Sequence, residues 1–298
     1  MNEAAATRRR GIFAFAVTSL VWGSTWLVIK GQLGNVPPAW SVTWRFVLAC
    51  LGMFVLAALR RERLLLGRRG MALASVVGFF QFFANFQLVY QSERYLTSGL
   101  VAVMFALLIV PNALFARLFI GSQVSRRFVL GSSIAIGGIA LLLIHEYRIA
   151  PASGSVLLGL VLVIGAILSA SIANVMQAGE AARRESIMVL LAWAMLAGSV
   201  ANAVFAWITT GPPAIDLTPP YLLGVAYLGL VGTVLTFPLY SILLREWGPG
   251  RAAYNGVLIP VVAMALSTLF EGYHWTGLAL GGALLGLAGL LVALGGRR

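Results

Sequence analysis

One basic side chain, Arg45, lies well inside an apolar stretch of the sequence. A charge is costly in such a place and usually has a function. The planar guanidinium could bind a carboxylate through two parallel hydrogen bonds. The alternative is that Arg45 lies nearer a helix end, where it reaches the surface or binds helix-end carbonyls. Both interpretations stay open from the sequence.

Amide side chains cluster in another apolar stretch, at residues 71–92. Gln81 and Asn85 are four residues apart, so a helix places them on one face, and it places Gln87 and Gln91 on another. We expect this helix to lie centrally and to line a hydrated cavity. The alternative is that the amides hydrogen-bond neighbouring helices. Further candidates for a substrate pathway are the indole, phenol and amide side chains of Trp22, Trp26, Tyr90, Asn112, Asn174, Gln177, Tyr240 and Asn255.

Two prolines, Pro111 and Pro260, lie inside apolar stretches at matching places in the two halves of the chain. Proline removes a backbone donor and can kink a helix, because it leaves a carbonyl without its helical partner. We predict that the two helices that carry these prolines form a gate. The alternative is a static role in packing.

Acidic residues are confined to the ends of the apolar stretches. A carboxylate within a membrane is the usual proton relay, so its absence favours movement of a substrate down its own gradient. Glu93 and Glu271 lie near stretch ends, where we expect them to be hydrated, and the alternative is that they titrate during transport. Two histidines and one cysteine make a metal centre improbable, and there is no Walker motif. We predict no metal, no cofactor and no enzymatic activity.

The composition and the long apolar stretches indicate which structural elements carry these side chains. The chain has 298 residues, 60% of them hydrophobic and 10% charged, whereas a soluble domain carries about 25% charged residues. A membrane-spanning helix needs about 20 apolar residues. The ten stretches of roughly this length are residues 11–29, 37–59, 71–92, 98–119, 127–144, 155–177, 186–208, 220–243, 250–270 and 276–294. The sequence therefore predicts an all-α polytopic membrane protein with ten transmembrane helices.

Basic residues mark alternate ends of these ten stretches. Nearly all of the arginines lie on one side, in clusters at residues 8–10, 60–69, 117–127, 183–184, 245–251 and 297–298. By the positive-inside rule this side is cytoplasmic. Both termini are then cytoplasmic, which agrees with an even number of helices. The net charge of +12 thus follows from membrane topology, and we expect no binding to nucleic acid.

The two halves of the chain share an order of landmarks about 150 residues apart, with Pro111 matching Pro260 and Gly121 matching Gly272. We predict two five-helix repeats, residues 1–150 and 151–298. Since five is odd, the second repeat crosses the membrane in the opposite sense. Inverted repeats of this kind build secondary transporters around a central site.

Small residues predict where helices pack closely. The last stretch carries Gly277, Gly281, Gly282 and Gly286, a spacing that lets helix backbones approach each other. Gly131 and Gly138 mark a similar face in the fifth stretch. The sequence leaves open whether these faces meet within one chain or between two chains.

Several motifs in a fixed order resemble the EamA-type carriers of the drug/metabolite transporter superfamily. They are Trp22-Gly-Ser-Thr-Trp26, Arg45-Phe46, Tyr95-Leu-Thr-Ser-Gly-Leu100, Leu118-Phe-Ile-Gly121, Tyr227-Leu-Gly-Leu-Val-Gly232 and Leu269-Phe-Glu-Gly272. The resemblance covers nearly the whole chain and is closest to YddG-type amino-acid exporters. The family usually has Gly-Glu after its Leu-Phe, whereas here Ser122 follows Gly121 and Glu271 precedes Gly272, which weakens any role carried over for that glutamate.

The resemblance implies a multi-pass carrier of the inner membrane that exports small metabolites. Neutral or aromatic amino acids are the substrates that we expect, moved by alternating access between the repeats. The expected partners are this small-molecule substrate and the lipid bilayer. One chain is sufficient for transport, although the oligomeric state cannot be read. A multidrug or nucleotide-sugar carrier is the alternative among transporters, and a channel is the alternative from another class.

Overall fold

The architecture is helical throughout the part of the chain that the structure describes. This computed structural model describes residues 3–34, 36–121, 123–149, 155–240, 243 and 254–295, and none of them forms a strand. The predicted all-α fold is therefore confirmed for these residues. Parts of the predicted arginine clusters, at residues 245–251 and 297–298, lie outside them, as does the predicted boundary between residues 150 and 151.

Ten principal helices follow the predicted apolar stretches closely. They are α1 Glu3–Gly31, α2 Pro38–Leu59, α3 Arg68–Ser92, α4 Ser98–Phe119, α5 Arg126–Ile149, α6 Ser155–Ala178, α7 Ile187–Thr210, α8 Pro219–Tyr240, α9 Asn255–Phe270 and α10 Gly277–Gly295. A one-turn helix, Glu180–Arg183, connects α6 to α7. In the described ranges, nine helices are long and apolar enough to cross a membrane, and α9 is a shorter apolar helix of 16 residues. The predicted start of that stretch, at residue 250, lies outside the description.

Helices α3 and α8 each contain a π-helical segment at a matching place in the two halves. The segments are Gly78–Ala84 and Tyr227–Leu235. A π-helix shifts the hydrogen-bond register, so side chains can bind the backbone carbonyls of such a segment. In α3, Asn202 Nδ2 donates to the Phe82 carbonyl at 2.8 Å, and Ser169 Oγ donates to the Phe80 carbonyl at 2.7 Å. Helices α7 and α6 thereby fix the π-helical segment of α3.

Helices α5 and α10 pack backbone to backbone within the chain. A Cβ atom built on Gly138 would lie 2.3 Å from the backbone nitrogen of Gly286, and one built on Gly131 would lie 2.2 Å from that of Ala293. Such a distance leaves no room for any side chain, which is why small residues occur on both faces. The predicted close contacts thus form between two helices of one chain.

Glycines at equivalent positions make equivalent contacts in the two halves. A Cβ on Gly78 would meet the carbonyl oxygen of Ala194 at 2.3 Å, and one on Gly229 would meet that of Arg45 at 3.0 Å. In this way α3 packs on α7 as α8 packs on α2. Gly121 and Gly272, which follow α4 and α9, both adopt positive φ angles, of 73° and 67°. Glycine adopts this left-handed conformation without strain.

Candidate functional site

A cavity of about 500 Å³ lies between helices of the two halves. Its walls come from α1, α2, α3, α4, α6, α8, α9 and α10. The residues that the sequence predicted for the pathway and that line this cavity are Trp22, Trp26, Arg45, Gln81, Asn85, Asn112, Asn174, Tyr240, Asn255 and Pro260. The structure therefore brings most of the predicted pathway residues to one place.

Arg45 is the charged side chain of the cavity wall. It is 4% exposed, and its Cζ lies 4.4 Å from the centre of the Phe86 ring and 5.2 Å from that of Phe46. Aromatic faces attract a guanidinium electrostatically. Its Nε and Nη1 atoms have no hydrogen-bond partner. Because an unpaired buried donor is costly, each of these two atoms suits a strong acceptor in the cavity, such as a carboxylate oxygen. The burial of Arg45 also shows that it does not reach out to the surface.

Aromatic rings surround the two tryptophans of α1. Trp22 lies with its ring centre 5.2 Å from that of Tyr240 and 5.8 Å from that of Phe237, and Trp26 lies 4.9 Å from Phe105. The Trp22 indole donates to the Gly232 carbonyl, at 3.1 Å, within the π-helical segment of α8. This bond fixes the ring, so its face can stack against an apolar or aromatic group in the cavity.

Amide oxygens supply neutral acceptors at the same cavity. Gln81 Oε1 and Asn85 Oδ1 are buried and have no hydrogen-bond partner. Asn174 Nδ2 donates to Asn112 Oδ1 at 3.5 Å. Acceptors of this kind can bind an ammonium group without a fixed negative charge.

Asn255 has its polar atoms engaged by α1. Its Oδ1 accepts from Ser19 Oγ at 2.5 Å, and its Nδ2 donates to Thr18 Oγ1 at 2.8 Å. All three side chains are buried. Asn255 therefore joins α9 to α1 at the cavity wall, and its contacts are interhelical.

Three predicted residues do not line this cavity. Tyr90 is fully buried behind its wall, where the hydroxyl donates to Gln32 Oε1 at 3.0 Å and the side chain interacts with Arg45. Gln177 lies in the last turn of α6, where its amide donates to the Ala173 carbonyl at 3.3 Å. Pro111 lies in α4, three residues after a 3-10 turn at Ala106–Leu108, and is not among the residues that line the cavity. They do not line the pathway in this conformation, and the predicted gate role of Pro111 and Pro260 stays a prediction.

Much of the apolar wall of the first cavity was not predicted from the sequence. The cavity residues not predicted include the aromatic and hydroxyl side chains of Thr25, Phe46, Phe82, Phe86, Phe105, Thr233 and Phe237. A signal existed for two of them, because Phe82 and Phe86 each follow a polar candidate, Gln81 and Asn85, by one residue. Among the described helices that line the cavity, α10 contributed no residue to the predicted pathway.

The cavity extends toward the arginine-rich end of the molecule. Its lining residues include Asn255, which begins α9, Leu294 near the end of α10, and Tyr240 at the end of α8. At the other end, Ser98 and Ser267 are 0% exposed. We call this second end, formed by Lys30, Glu93, Ser98 and Glu271, the closed end.

The closed end is held by polar contacts between α1, α4 and α9. The Lys30 ammonium donates to the backbone carbonyls of Glu93 and Leu96, the latter at 3.0 Å. The Glu271 carboxylate accepts from both the backbone nitrogen and the hydroxyl of Ser98. The expectation that Glu93 is hydrated is wrong, since Glu93 is 0% exposed beneath these contacts.

A second, apolar cavity of about 490 Å³ lies between α4, α5, α9 and α10. It shares Ala106, Pro260 and Leu290 with the first cavity. Its lining has few polar groups, among them the Thr268 hydroxyl, which accepts from Trp275 Nε1 at 2.8 Å. In the described ranges, no group of three or more His, Cys, Asp or Glu side chains could hold a metal ion.

Comparisons with known proteins agree with the fold. The sequence profile of the EamA-like transporter family matches residues 9–144 and 157–295. PagO of Salmonella typhimurium strain LT2 is 26% identical over 260 residues, which cover 87% of this chain and 84% of PagO. A protein of Escherichia coli strain K12 named "Probable amino-acid metabolite efflux pump" is 26% identical over 306 residues, covering 98% and 97% of the two chains.

A solved crystal structure superposes on this chain with a TM-score of 0.71 at 17% sequence identity, covering 97% of this chain and 98% of its own. That likeness shows the fold alone. The two profile matches fall on α1–α5 and on α6–α10. The predicted pair of repeats is thereby confirmed, whereas the boundaries at residues 1–150 and 151–298 stay a prediction.

Proposed function

The chain belongs to the EamA-like transporter family, and on that premise we propose that it is a ten-helix carrier of the inner membrane that exports neutral and aromatic amino acids. The termini are cytoplasmic, and the two repeats cross the membrane in opposite senses. Named relatives support both parts of the proposal. One is named "Probable amino-acid metabolite efflux pump", and another, which is 27% identical over 259 residues, is named "Uncharacterized inner membrane transporter YedA" of Escherichia coli.

The observation that carries the substrate class is the pair of unpartnered donors on Arg45, Nε and Nη1, at the wall of the cavity. Both are charge-assisted donors, and a carboxylate oxygen is a strong acceptor for either of them. The amide oxygens of Gln81 and Asn85 offer acceptors for an ammonium group, and the rings of Trp22 and Trp26 offer faces for the side chain. An amino acid combines these three groups in one small molecule.

Alternating access accounts for the closed end and for the cavity that extends from the opposite side. With the arginine-rich end cytoplasmic, the conformation described here receives substrate from the cytoplasm. Separation of α4 from α9 at the closed end would release it outside. Pro111 and Pro260, one on each of these helices, are the positions where we expect the two helices to bend.

Counterflow in liposomes tests this function. Liposomes that contain the purified protein are loaded with unlabelled amino acid and given the labelled amino acid outside, with and without a pH gradient. A carrier exchanges the two, so label accumulates transiently and saturates with concentration. We expect exchange for neutral and aromatic amino acids, and weaker exchange for amines that lack the carboxylate.

The controls separate this carrier from its alternatives. Liposomes without protein give the leak. Flux that neither saturates nor exchanges would identify a channel. No counterflow for any member of a panel of amino acids would refute the proposed substrate class and direct the search to drugs and sugar nucleotides.

A further inference from the structure

The closed end contains a carboxyl group that has no part in the substrate site. Glu93 is 0% exposed, and neither of its carboxyl oxygens has a hydrogen-bond partner. An ionised carboxylate in this position would lose its hydration with no hydrogen bond to replace it. The closed conformation therefore accommodates Glu93 in its neutral form, with a proton bound.

The titratable groups around Glu93 come from several helices. They are Lys30 of α1, Arg45 of α2, Tyr90 of α3 and Glu271 at the end of α9. The Lys30 ammonium donates to backbone carbonyls and leaves both carboxyl oxygens of Glu93 without a partner. Helix α6 also packs against this end of α3, and residues 155–178 contain no titratable side chain.

The balance of these effects favours the neutral carboxyl. Burial raises the pKa of Glu93 well above its ordinary value, the Lys30 ammonium lowers this pKa, and the negative charge of Glu271 raises it. Desolvation is the largest of these causes. It acts only while the closed end excludes water, so the proton affinity of Glu93 depends on whether this end is shut.

We propose that Glu93 is a proton-binding site that controls the closed end. The shut conformation binds one proton at the carboxyl group. When α4 separates from α9, water reaches Glu93, its O–H bond breaks and the proton passes to water at that end. This inference rests on the proposed alternating access, because it identifies a ligand released on opening.

The direction of the pH effect follows from proton linkage. The shut conformation binds more protons than the open one, so rising pH favours opening. The effect spans the range from the ordinary pKa of glutamate, about 4.3, up to the raised pKa of the shut conformation. Within that range, one linked proton changes the opening constant by up to about tenfold per pH unit.

A buried thiol on α9 reports this opening. Ser267 is 0% exposed and faces α4, since a Cβ built on Gly99 would lie 2.8 Å from its Cβ. Ser267→Cys is placed in a Cys50→Ala background, which removes the single native cysteine. Its rate of labelling by a water-soluble maleimide is measured in detergent from about pH 5 to about pH 8. Because thiol reactivity itself depends on pH, the rate is divided by that of Thr218→Cys, an exposed position in the loop before α8.

We expect the normalised rate to rise with pH in the parent protein. Glu93→Gln keeps the shape of the side chain and stays neutral, so its rate should remain low throughout. Glu180→Gln changes an exposed carboxylate in the segment between α6 and α7, and it should leave the rise intact. A flat profile in the parent, or a rise that persists in Glu93→Gln, would overturn the proposal.

Thermal unfolding gives a second, independent test. If the shut conformation binds a proton at Glu93, Tm of the parent should fall over the same pH range, and Glu93→Gln should reduce that fall. Equal pH dependence in both proteins would contradict the site. Neither the labelling test nor the unfolding test needs a substrate, so both can be interpreted even if counterflow fails. Conversely, negative results in both tests would leave the proposal of amino-acid transport unaffected.

Discussion

The Cζ atom of Arg45 lies 4.4 Å from the centre of the Phe86 ring, at the wall of the cavity between the two repeats. The ring covers one face of the guanidinium, which reduces the cost of burying its charge. Its Nε and Nη1 atoms, which lie on different edges of the group, remain without a partner. Phe86 therefore positions the arginine and leaves these two donors for an acceptor in the cavity.

Replacing Arg45 with glutamine should weaken substrate binding strongly. A hydrogen bond to a charged group contributes about 1.5–3 kcal/mol, so KM in counterflow should rise by roughly tenfold or more. Arg45→Lys should restore little of the affinity, because a compact ammonium cannot place donors where Nε and Nη1 of the planar guanidinium lie. The measurement is the concentration dependence of counterflow.

The matched control is Arg94→Gln, which removes an exposed guanidinium near the closed end, bonded at 3.1 Å to Gln91. It should leave KM unchanged. An equal KM in parent and Arg45→Gln would show that Arg45 serves packing, and the substrate class proposed here would lose its main support.

The sequence predicted the positions of the helices because apolar length alone determines them. It also predicted that Arg45, Trp22 and Asn85 would lie near each other, because polar side chains in apolar helices avoid lipid. The π-helical segment Gly78–Ala84 was not predictable, since helical-wheel arguments assume a constant 3.6-residue turn. The contribution of α10 to the cavity wall was not predictable either, because it depends on how helices far apart in the sequence pack.

Close backbone packing makes a prediction with an internal control. Gly138→Ala should destabilise the protein, because its Cβ would lie 2.3 Å from the backbone nitrogen of Gly286. Overpacking of this kind costs about 1–3 kcal/mol. The neighbouring substitution, Gly137→Ala, meets nothing within 4 Å and should be neutral or stabilising, by at most about 1 kcal/mol. Tm in detergent measures both, and equal values would contradict the packing of α5 on α10.

The link between α7 and the π-helical segment of α3 can be tested through Asn202. Its amide donates to the Phe82 carbonyl and accepts from Gln87 Nε2, both at 2.8 Å. Asn202→Leu removes two interhelical bonds, each worth about 0.6–2 kcal/mol in membrane helices, and should lower Tm. Ser133→Ala, which removes one exposed bond within α5, is the control and should change Tm little.

A double-mutant cycle shows whether the two amides act as a unit. If the bond between Gln87 and Asn202 forms, Gln87→Leu should destabilise the parent more than it destabilises Asn202→Leu. Additive effects of the two substitutions would mean that this bond contributes nothing to stability.

Glu93 shows why the positions of carboxylates along the sequence do not predict which of them are buried. The residue lies just past the end of α3, where a polar side chain is expected to reach water. Its burial results from the ends of α1 and α9 and from the start of α4, which come together only in the fold. The lack of carboxylates within the apolar stretches favours transport without protons, whereas the closed end buries one carboxyl group just outside such a stretch.

The Lys30 side chain has two separate effects at the closed end. The ammonium lowers the pKa of Glu93, and it also holds the carbonyls of Glu93 and Leu96. Lys30→Met should therefore raise the pKa of Glu93 further, so the pH at which the closed end opens should increase. Loss of the carbonyl contacts should, in addition, raise the labelling rate of Ser267→Cys at every pH.

The higher pKa of Glu93 delays opening to higher pH, whereas loss of the carbonyl contacts raises the labelling rate at every pH. One pH profile of the labelling rate therefore distinguishes the two effects. In Lys30→Met the rate at low pH should exceed that of the parent, while the midpoint of the pH profile moves upward. In the double variant with Glu93→Gln, the increase at low pH should remain and the midpoint should disappear. A midpoint that moves downward on loss of Lys30 would contradict the assignment, because the ammonium stabilises the ionised form of Glu93 and its loss should raise the pKa.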